Sequence, residues 1–195
     1  MAFGEGEPPA GESCPFCNIS ASYPAFDPLS PPEPSADSLR PERTNPDPAT
    51  FVLLSTPLLV AFLDIMPLSR GHILLCPREH RPKLTAATAE ESRELGFFVR
   101  ILSEAVVRAT GVSDWNVVQN NGAAAAQVVP HLHFHIIPRP ELREQGKWSD
   151  RFTMFGRGTR SELDDDEAVD LARRIRESIA ETLREEAGNQ PKAKL

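Results

Sequence analysis

No stretch of this 195-residue sequence approaches the roughly 18–20 consecutive apolar residues that a membrane span needs. The start, with its Gly-Glu-Gly-Glu run, also lacks the basic and then apolar pattern of a secretory leader. Basic residues are in deficit: 21 Lys and Arg face 28 Asp and Glu, a formal net charge of −7. That balance argues against general nucleic-acid binding, although a locally basic pocket stays compatible with it. No internal repeat is visible. With 40% hydrophobic and 25% charged residues the chain can bury one core of ordinary size. The expectation is a cytoplasmic protein, with the nucleus as a second compartment.

Histidine is also scarce, and its placement is the informative feature. All five histidines fall in two segments, His72 to His80 and His131-Leu132-His133-Phe134-His135-Ile136-Ile137. Strand side chains alternate, so the second segment predicts three imidazoles on one face and apolar residues on the other. Same-face neighbours lie about 6.7 Å apart, which puts His131 and His135 about 13 Å apart, too far for one ion to be held by all three. Two neighbours could share a metal, or the three could divide nucleophilic, proton-donating and phosphate-binding work. A neutral imidazole, with an ordinary pKa of about 6.5, suits the first role at pH 7.

Cys14 and Cys17 form a C-x2-C pair of the kind that takes metal, with free thiols or a disulfide as the other readings. Cys76 lies in an apolar run and reads as a buried core thiol. Eleven of the nineteen prolines fall in the first fifty residues, and Asp27-Pro28-Leu-Ser-Pro31-Pro32-Glu-Pro34 can sustain neither a helix nor a central strand. The chain therefore divides into residues 1–23 with the C-x2-C pair, a Pro-rich insert at 24–50, a core at 51–140, a loop and helix extension at 141–187, and a frayed tail at 188–195. The insert reads as an extended or disordered linker, or as bait for a proline-binding module.

Within the core, Phe51 to Leu54, Leu58 to Leu63 and His72 to Cys76 are short apolar runs separated by Pro and Gly, predicting antiparallel strands. Thr88-Ala-Glu-Glu91 reads as a capping box. Leu95, Phe98, Val99, Leu102 and Val106 follow at helical spacing, and Gly111 stops the helix. Trp115 to Gln119 and Leu132 to Ile137 add two strands. Acid at 164–167 opens an amphipathic helix with Ala168, Leu171, Ala172, Ile175, Ile179 and Leu183 on its apolar stripe. Residues 146–158 mix aromatics, Arg and Gly, a loop that packs Trp148 and Phe155 or closes over an anionic ligand. The sum is an α+β layer: a five-stranded antiparallel sheet with a long packed helix and a C-terminal amphipathic helix.

The run from Asn120 to Arg139 resembles the signature of the histidine triad family of nucleotide hydrolases and transferases, His-φ-His-φ-His-φ-φ with φ apolar. Ala61 to His80 resembles that family's other block, and Cys14-Pro-Phe16-Cys17-Asn-Ile19 resembles the zinc knuckle of some members. The Phe62-Leu-Asp64-Ile65 block and the Asn-Asn-Gly loop are most similar to the adenosine 5'-monophosphoramidase (Hint-like) branch. The resemblance implies a histidine triad fold and a homodimer built on the long helix and the Trp115 strand. It implies a purine-nucleotide substrate with an AMP product. His133 would attack the α-phosphorus to form a nucleotidyl-histidine, His135 would serve the phosphate or leaving-group side, and His72 would support them. Asn120 and Gln127 match phosphate-side polar residues, Asp64 a ribose-binding carboxylate, and Phe16, Ile19, Phe62 and Ile65 the walls around the base. Structural zinc would sit on Cys14, Cys17, His80 and His131, with no catalytic cofactor. Where the family usually has Gly and then Ser or Thr around the glutamine, this chain has Ala126 and Val128, so a glycine-type backbone at 126 would be strained and a hydroxyl donor is missing. The implied reaction is hydrolysis of nucleoside 5'-phosphoramidates. The alternatives are a dinucleoside polyphosphate hydrolase or nucleotidylyltransferase of the same family, a zinc metalloenzyme using the strand histidines, and a weakly catalytic nucleotide-binding scaffold.

Overall fold

The computed structural model describes residues 14–44, 49–140 and 162–189. Five strands form one antiparallel sheet: β1 (Val52–Ser55), β2 (Leu59–Leu63), β3 (Ile73–Pro77), β4 (Trp115–Gln119) and β5 (Phe134–Pro138), in the order β1-β2-β3-β5-β4. Among the described residues three α-helices accompany it: α1 (Pro15–Ser22), α2 (Ala89–Thr110) and α3 (Asp165–Asn189). Every residue of β1, β2 and β3 is buried. Both sheet faces are covered, which is why these strands read as continuous apolar runs rather than alternating ones.

The register sorts the side chains. On one face Leu53, Ala61, Leu63, Ile73, Leu75 and Ile136 join the apolar stripes of α2 and α3 in the main core. On the other, Val52, Val60, Phe62, Leu74 and Cys76 pack with Phe16 and Ile19 of α1. Phe62 pairs Leu74 and Leu74 pairs His135, so the second face also carries the histidines.

Helix α2 is built as its sequence predicts. Thr88 caps it, with Glu91 N–H donating to Thr88 Oγ1 and Thr88 N–H donating to Glu91 Oε2, and Gly111 ends it at φ 73°. Glu91 is 2% exposed and also takes Arg81 Nε at 3.0 Å. The Arg81 carbonyl in turn receives Leu132 N–H at 2.5 Å, so the start of α2 is tied to the chain entering β5. Asp164 begins α3 by accepting Glu167 N–H, the placement of acid at a helix start that the sequence anticipates.

Two expectations shift. The fifth strand begins at Phe134 rather than Leu132, so His131 and His133 lie in the extended chain just before it. The described part of the Pro-rich insert is not a free linker. It holds two 3-10 turns at Asp37–Leu39 and Pro41–Arg43, buries Leu39, and presents the carbonyls of Arg40 and Pro41 to the Tyr23 hydroxyl at 2.8 and 3.0 Å. Fixed proline φ angles lower the entropic cost of such docking. The Trp148 loop and the 1–13 and 190–195 ends lie outside the described residues.

Glu91→Ala removes half of the capping box and the partner of Arg81. Urea unfolding should give a loss of about 2 kcal/mol; a loss below about 0.5 kcal/mol would mean that the tie contributes little.

Candidate functional site

The chain from Gln127 to His135 organises the site. His133 Nδ1–H donates to the carbonyl of His131 at 2.6 Å. The remaining ring nitrogen, Nε2, is thereby left with its lone pair. Burial pushes the His133 pKa below its ordinary value, so the imidazole is neutral at pH 7. Its ring stands edge-on to His135 at 4.8 Å and to Phe16 at 5.2 Å between centroids.

His135 connects to a second histidine. His72 Nδ1 accepts Leu68 N–H at 3.2 Å, so the proton of neutral His72 sits on Nε2 and donates to His135 Nδ1 at 3.0 Å. The His135 Nε2–H is then the proton-bearing nitrogen. Asp64 Oδ1 accepts Met66 N–H at 2.9 Å, and its Oδ2 lies 3.3 Å from His72 Nδ1, placed to take a proton on that nitrogen whenever His72 is charged. Asp64, His72 and His135 could also be read as a metal group. However, the carboxylate faces one nitrogen of His72 and His135 faces the other, which fits a hydrogen-bond chain better than a shared ion.

Cys14, Cys17, His80 and His131 form the other cluster. Their Sγ to Nδ1 distances are 3.4 Å for Cys14 to His131, 3.4 Å for Cys17 to His80 and 3.6 Å for Cys17 to His131. Zn–S and Zn–N bonds of about 2.3 and 2.1 Å at a tetrahedral angle need about 3.6 Å between donors, so the spacing suits a closed four-ligand cation site. His131 Nε2–H donates to the Pro77 carbonyl at 2.9 Å, which leaves Nδ1 bare toward the cluster. The thiols are not paired in a disulfide. Burial and the neighbouring Cys14 push the Cys17 thiol up to about 12, and burial pushes His131 down to about 4.

Several residues sit differently from their sequence reading. Gln127 is 8% exposed and its amide is spent within the protein: Oε1 accepts Gly122 N–H at 2.6 Å, while Nε2 donates to Pro82 and His131 carbonyls at 2.8 and 3.3 Å. It braces the carbonyl that holds His133. The Asn120 side chain has no hydrogen-bond partner among the described residues. Phe16, Ile19 and Phe62 pack in one apolar cluster, whereas Ile65 stands outside it, 38% exposed. Ala126 adopts φ 64°, a left-handed conformation that favours glycine, and Val128 is 77% exposed. Arg78 was not singled out by sequence. It donates to the carbonyls of Ser20, Tyr23 and Thr56 at 2.6, 2.7 and 2.6 Å, and also to Ser55 Oγ, tying α1 to the β1–β2 turn. Its place between Pro77 and His80 in the first histidine segment is the signal that was there to use.

Two tests follow from the site. In the metal-free protein His131 titrates near 4 when folded and near 6.5 when unfolded, so between those values the unfolded chain binds more protons. Its contribution, about 3 kcal/mol, is full above pH 6.5 and lost as pH falls toward 4. Urea midpoints across this window should fall with acid and fall less in His131→Asn; equal slopes would contradict the assignment. Ala126→Gly should raise stability by about 0.5–1 kcal/mol, the strain relieved less the entropy glycine adds to the unfolded chain. A loss would mean that Ala126 is not strained.

Residues 45–142, half of the chain, match the HIT domain family. The chain is 44% identical over 88 residues to the adenosine 5'-monophosphoramidase of Schizosaccharomyces pombe, covering 45% of this chain and 63% of that one. It is 43% identical over 84 residues to an adenylylsulfatase of Arabidopsis thaliana, covering 43% of each. The aligned regions thus span less than two thirds of these relatives. A solved structure, a hypothetical histidine triad nucleotide-binding protein of Sulfolobus tokodaii, superposes with a TM-score of 0.60 at 31% identity, covering 73% of this chain and 91% of that one. With the histidine constellation and the five-stranded sheet in place, the chain belongs to the HIT domain family, the histidine triad proteins.

Proposed function

We propose that the protein is a nucleotide hydrolase that cleaves nucleoside 5'-phosphoramidates in two displacements through His133. The observation that carries this reading is the neutral His133, with Nδ1–H held by the His131 carbonyl and Nε2 left as the nucleophile. Nε2 attacks the α-phosphorus and the P–N bond breaks. The departing amine takes the Nε2 proton of His135 while charged His72, its Nδ1–H facing Asp64, passes its Nε2 proton 3.0 Å to His135 Nδ1, so that both rings end neutral. As the phosphoimidazolium forms, its charge is stabilised at Nδ1–H by the carbonyl beneath it. Water then attacks phosphorus and gives a proton back to His135 Nε2, His133 Nε2 leaves as the neutral imidazole, and AMP is released. No catalytic metal is required.

Asn120 serves the phosphate oxygens. Asp64, a carboxylate fixed beside His72 by Met66 N–H, serves the ribose hydroxyls. Phe16, Ile19 and Phe62 wall the base, with Ile65 at the rim. Cys14, Cys17, His80 and His131 would hold Zn2+ with four protein donors, and the ion would then supply structure rather than an activated water. Strand β4 is a sheet edge with Trp115 and Val117 exposed, and Phe97 is exposed on α2, which supports a homodimer joined along β4 and α2.

One observation favours a second reading, a substrate with an anionic leaving group such as a dinucleoside polyphosphate or an adenylylsulfate. The Lys83 side chain lies over Gly122, with Nζ 3.4 Å from where a Cβ would stand, beside the loop that Gln127 braces. A panel of AMP-amine, AMP-sulfate and dinucleoside substrates separates the two readings by kcat/KM.

Intact mass after rapid quenching with an adenosine phosphoramidate should give an AMP adduct on the unaltered protein and none on His133→Ala or His133→Gly, with steady-state turnover lowered by at least about 10³-fold. Undiminished turnover in both variants would overturn the mechanism.

A further inference from the structure

The four-donor cluster and the nucleophile share residues. In Cys14-Pro15-Phe16-Cys17 the two cysteines flank Phe16 on the first turn of α1, and the Phe16 ring meets His133 edge-on at 5.2 Å and 86°. The same ring touches Phe62 at 5.4 Å and His131 at 5.7 Å. His131 in turn offers its ring to the cluster and its carbonyl to His133 Nδ1–H. Two covalently fixed routes therefore run from the cluster to one imidazole: one through a side chain in van der Waals contact, the other through a backbone hydrogen bond.

Helix α1 is anchored unequally. Its C-terminal end is held by Arg78 through the Ser20 and Tyr23 carbonyls. Its N-terminal end has no side-chain cap at Cys14, and the Sγ atoms of Cys14 and Cys17 link it to His80 and His131. Thiols are weak donors, so without a cation those links are weak and the turn bearing Phe16 is held mainly by apolar packing. A bound cation would replace them with four strong bonds between segments that are far apart in sequence.

We propose that this cluster is a positioning device for the nucleophile: Zn2+ held by Cys14, Cys17, His80 and His131 fixes Phe16 against the His133 ring and the His131 carbonyl under its Nδ1–H. The ion thereby holds His133 in the tautomer and orientation that expose Nε2. Gln127 and Pro77 brace His131 independently, so loss of the ion loosens His133 without freeing it. The inference rests on the reading of His133 as the nucleophile.

The test compares the full-length protein with one equivalent of Zn2+, the same protein after chelation, and His80→Ala. His80 is exposed and touches the His131 ring, at 5.1 Å, rather than being placed at the reacting atoms. The readouts are Zn2+ content, circular dichroism, the ring-nitrogen signals of His133 in long-range 1H–15N spectra, and AMP affinity by calorimetry. With Zn2+, His133 should show a single Nδ1–H tautomer. Chelation and His80→Ala should both move its ring nitrogens toward a tautomer average, weaken AMP binding about 10-fold and slow adduct formation about 10–100-fold. His80→Cys, which keeps a donor, should retain Zn2+ and the single tautomer even if His80→Ala fails to fold.

Failure of the unaltered protein to take up Zn2+, or loss of Zn2+ with His133 signals and AMP affinity unmoved, overturns the inference. Should His133 respond to Zn2+ while neither state binds AMP or forms an adduct, the positioning role stands and the proposed hydrolysis falls.

Discussion

The hydrogen bond from His133 Nδ1 to the His131 carbonyl, 2.6 Å long and buried, is the constraint on which the rest of the site depends. An imidazole in water exchanges freely between two tautomers, and either nitrogen can then be the bare one. A carbonyl fixed at one nitrogen removes that freedom and leaves the other nitrogen as the lone-pair donor. In the proposed reaction the same carbonyl would stabilise the charge that appears on the ring as the distal nitrogen bonds to phosphorus. Burial, by disfavouring the protonated ring, acts in the same direction.

The fold spends much of its local structure on keeping that carbonyl in place. Gln127 donates to it from a strained loop, and the His131 ring is held to Pro77 at the end of β3. Leu132, the next residue, donates to Arg81, and Arg81 is paired with the buried capping glutamate of α2. An ion pair with one buried and one half-buried partner is weak evidence of net stability, but its directional bonds fix position well. The sheet makes the arrangement possible by covering one face with α2 and α3 and leaving the other to α1, whose Phe16 closes over the histidines.

Much of this was legible in the sequence because it obeys local rules. The capping box at Thr88 and Glu91, the left-handed stop at Gly111 and the five strands follow from periodicity and turn chemistry, with boundaries moved by a residue or two. That one ion could not be held by all three strand histidines followed from strand spacing, although the strand itself starts later than the pattern suggests, and the separate place of His131 came only from the resemblance. The four-residue Cys–His cluster was legible only through resemblance, since Cys14 and His131 are brought together by long-range packing. The spent amide of Gln127 and the Arg78 tie were not legible, because each depends on backbone carbonyls, which every residue has. The docked proline-rich insert was misread for a related reason: prolines exclude helix and sheet, but not fixed turns held by a buried tyrosine.

The central claim, that the His131 carbonyl dictates which nitrogen of His133 attacks phosphorus, is tested most directly by locating the bond in the covalent intermediate. A slowly hydrolysed adenosine phosphoramidate and protein labelled with 15N in its histidines would allow 31P–15N coupling to be read in the trapped adduct. The account predicts phosphorus on Nε2 of His133, with Nδ1 still bearing its proton. Phosphorus on Nδ1, or on a different histidine, would contradict it.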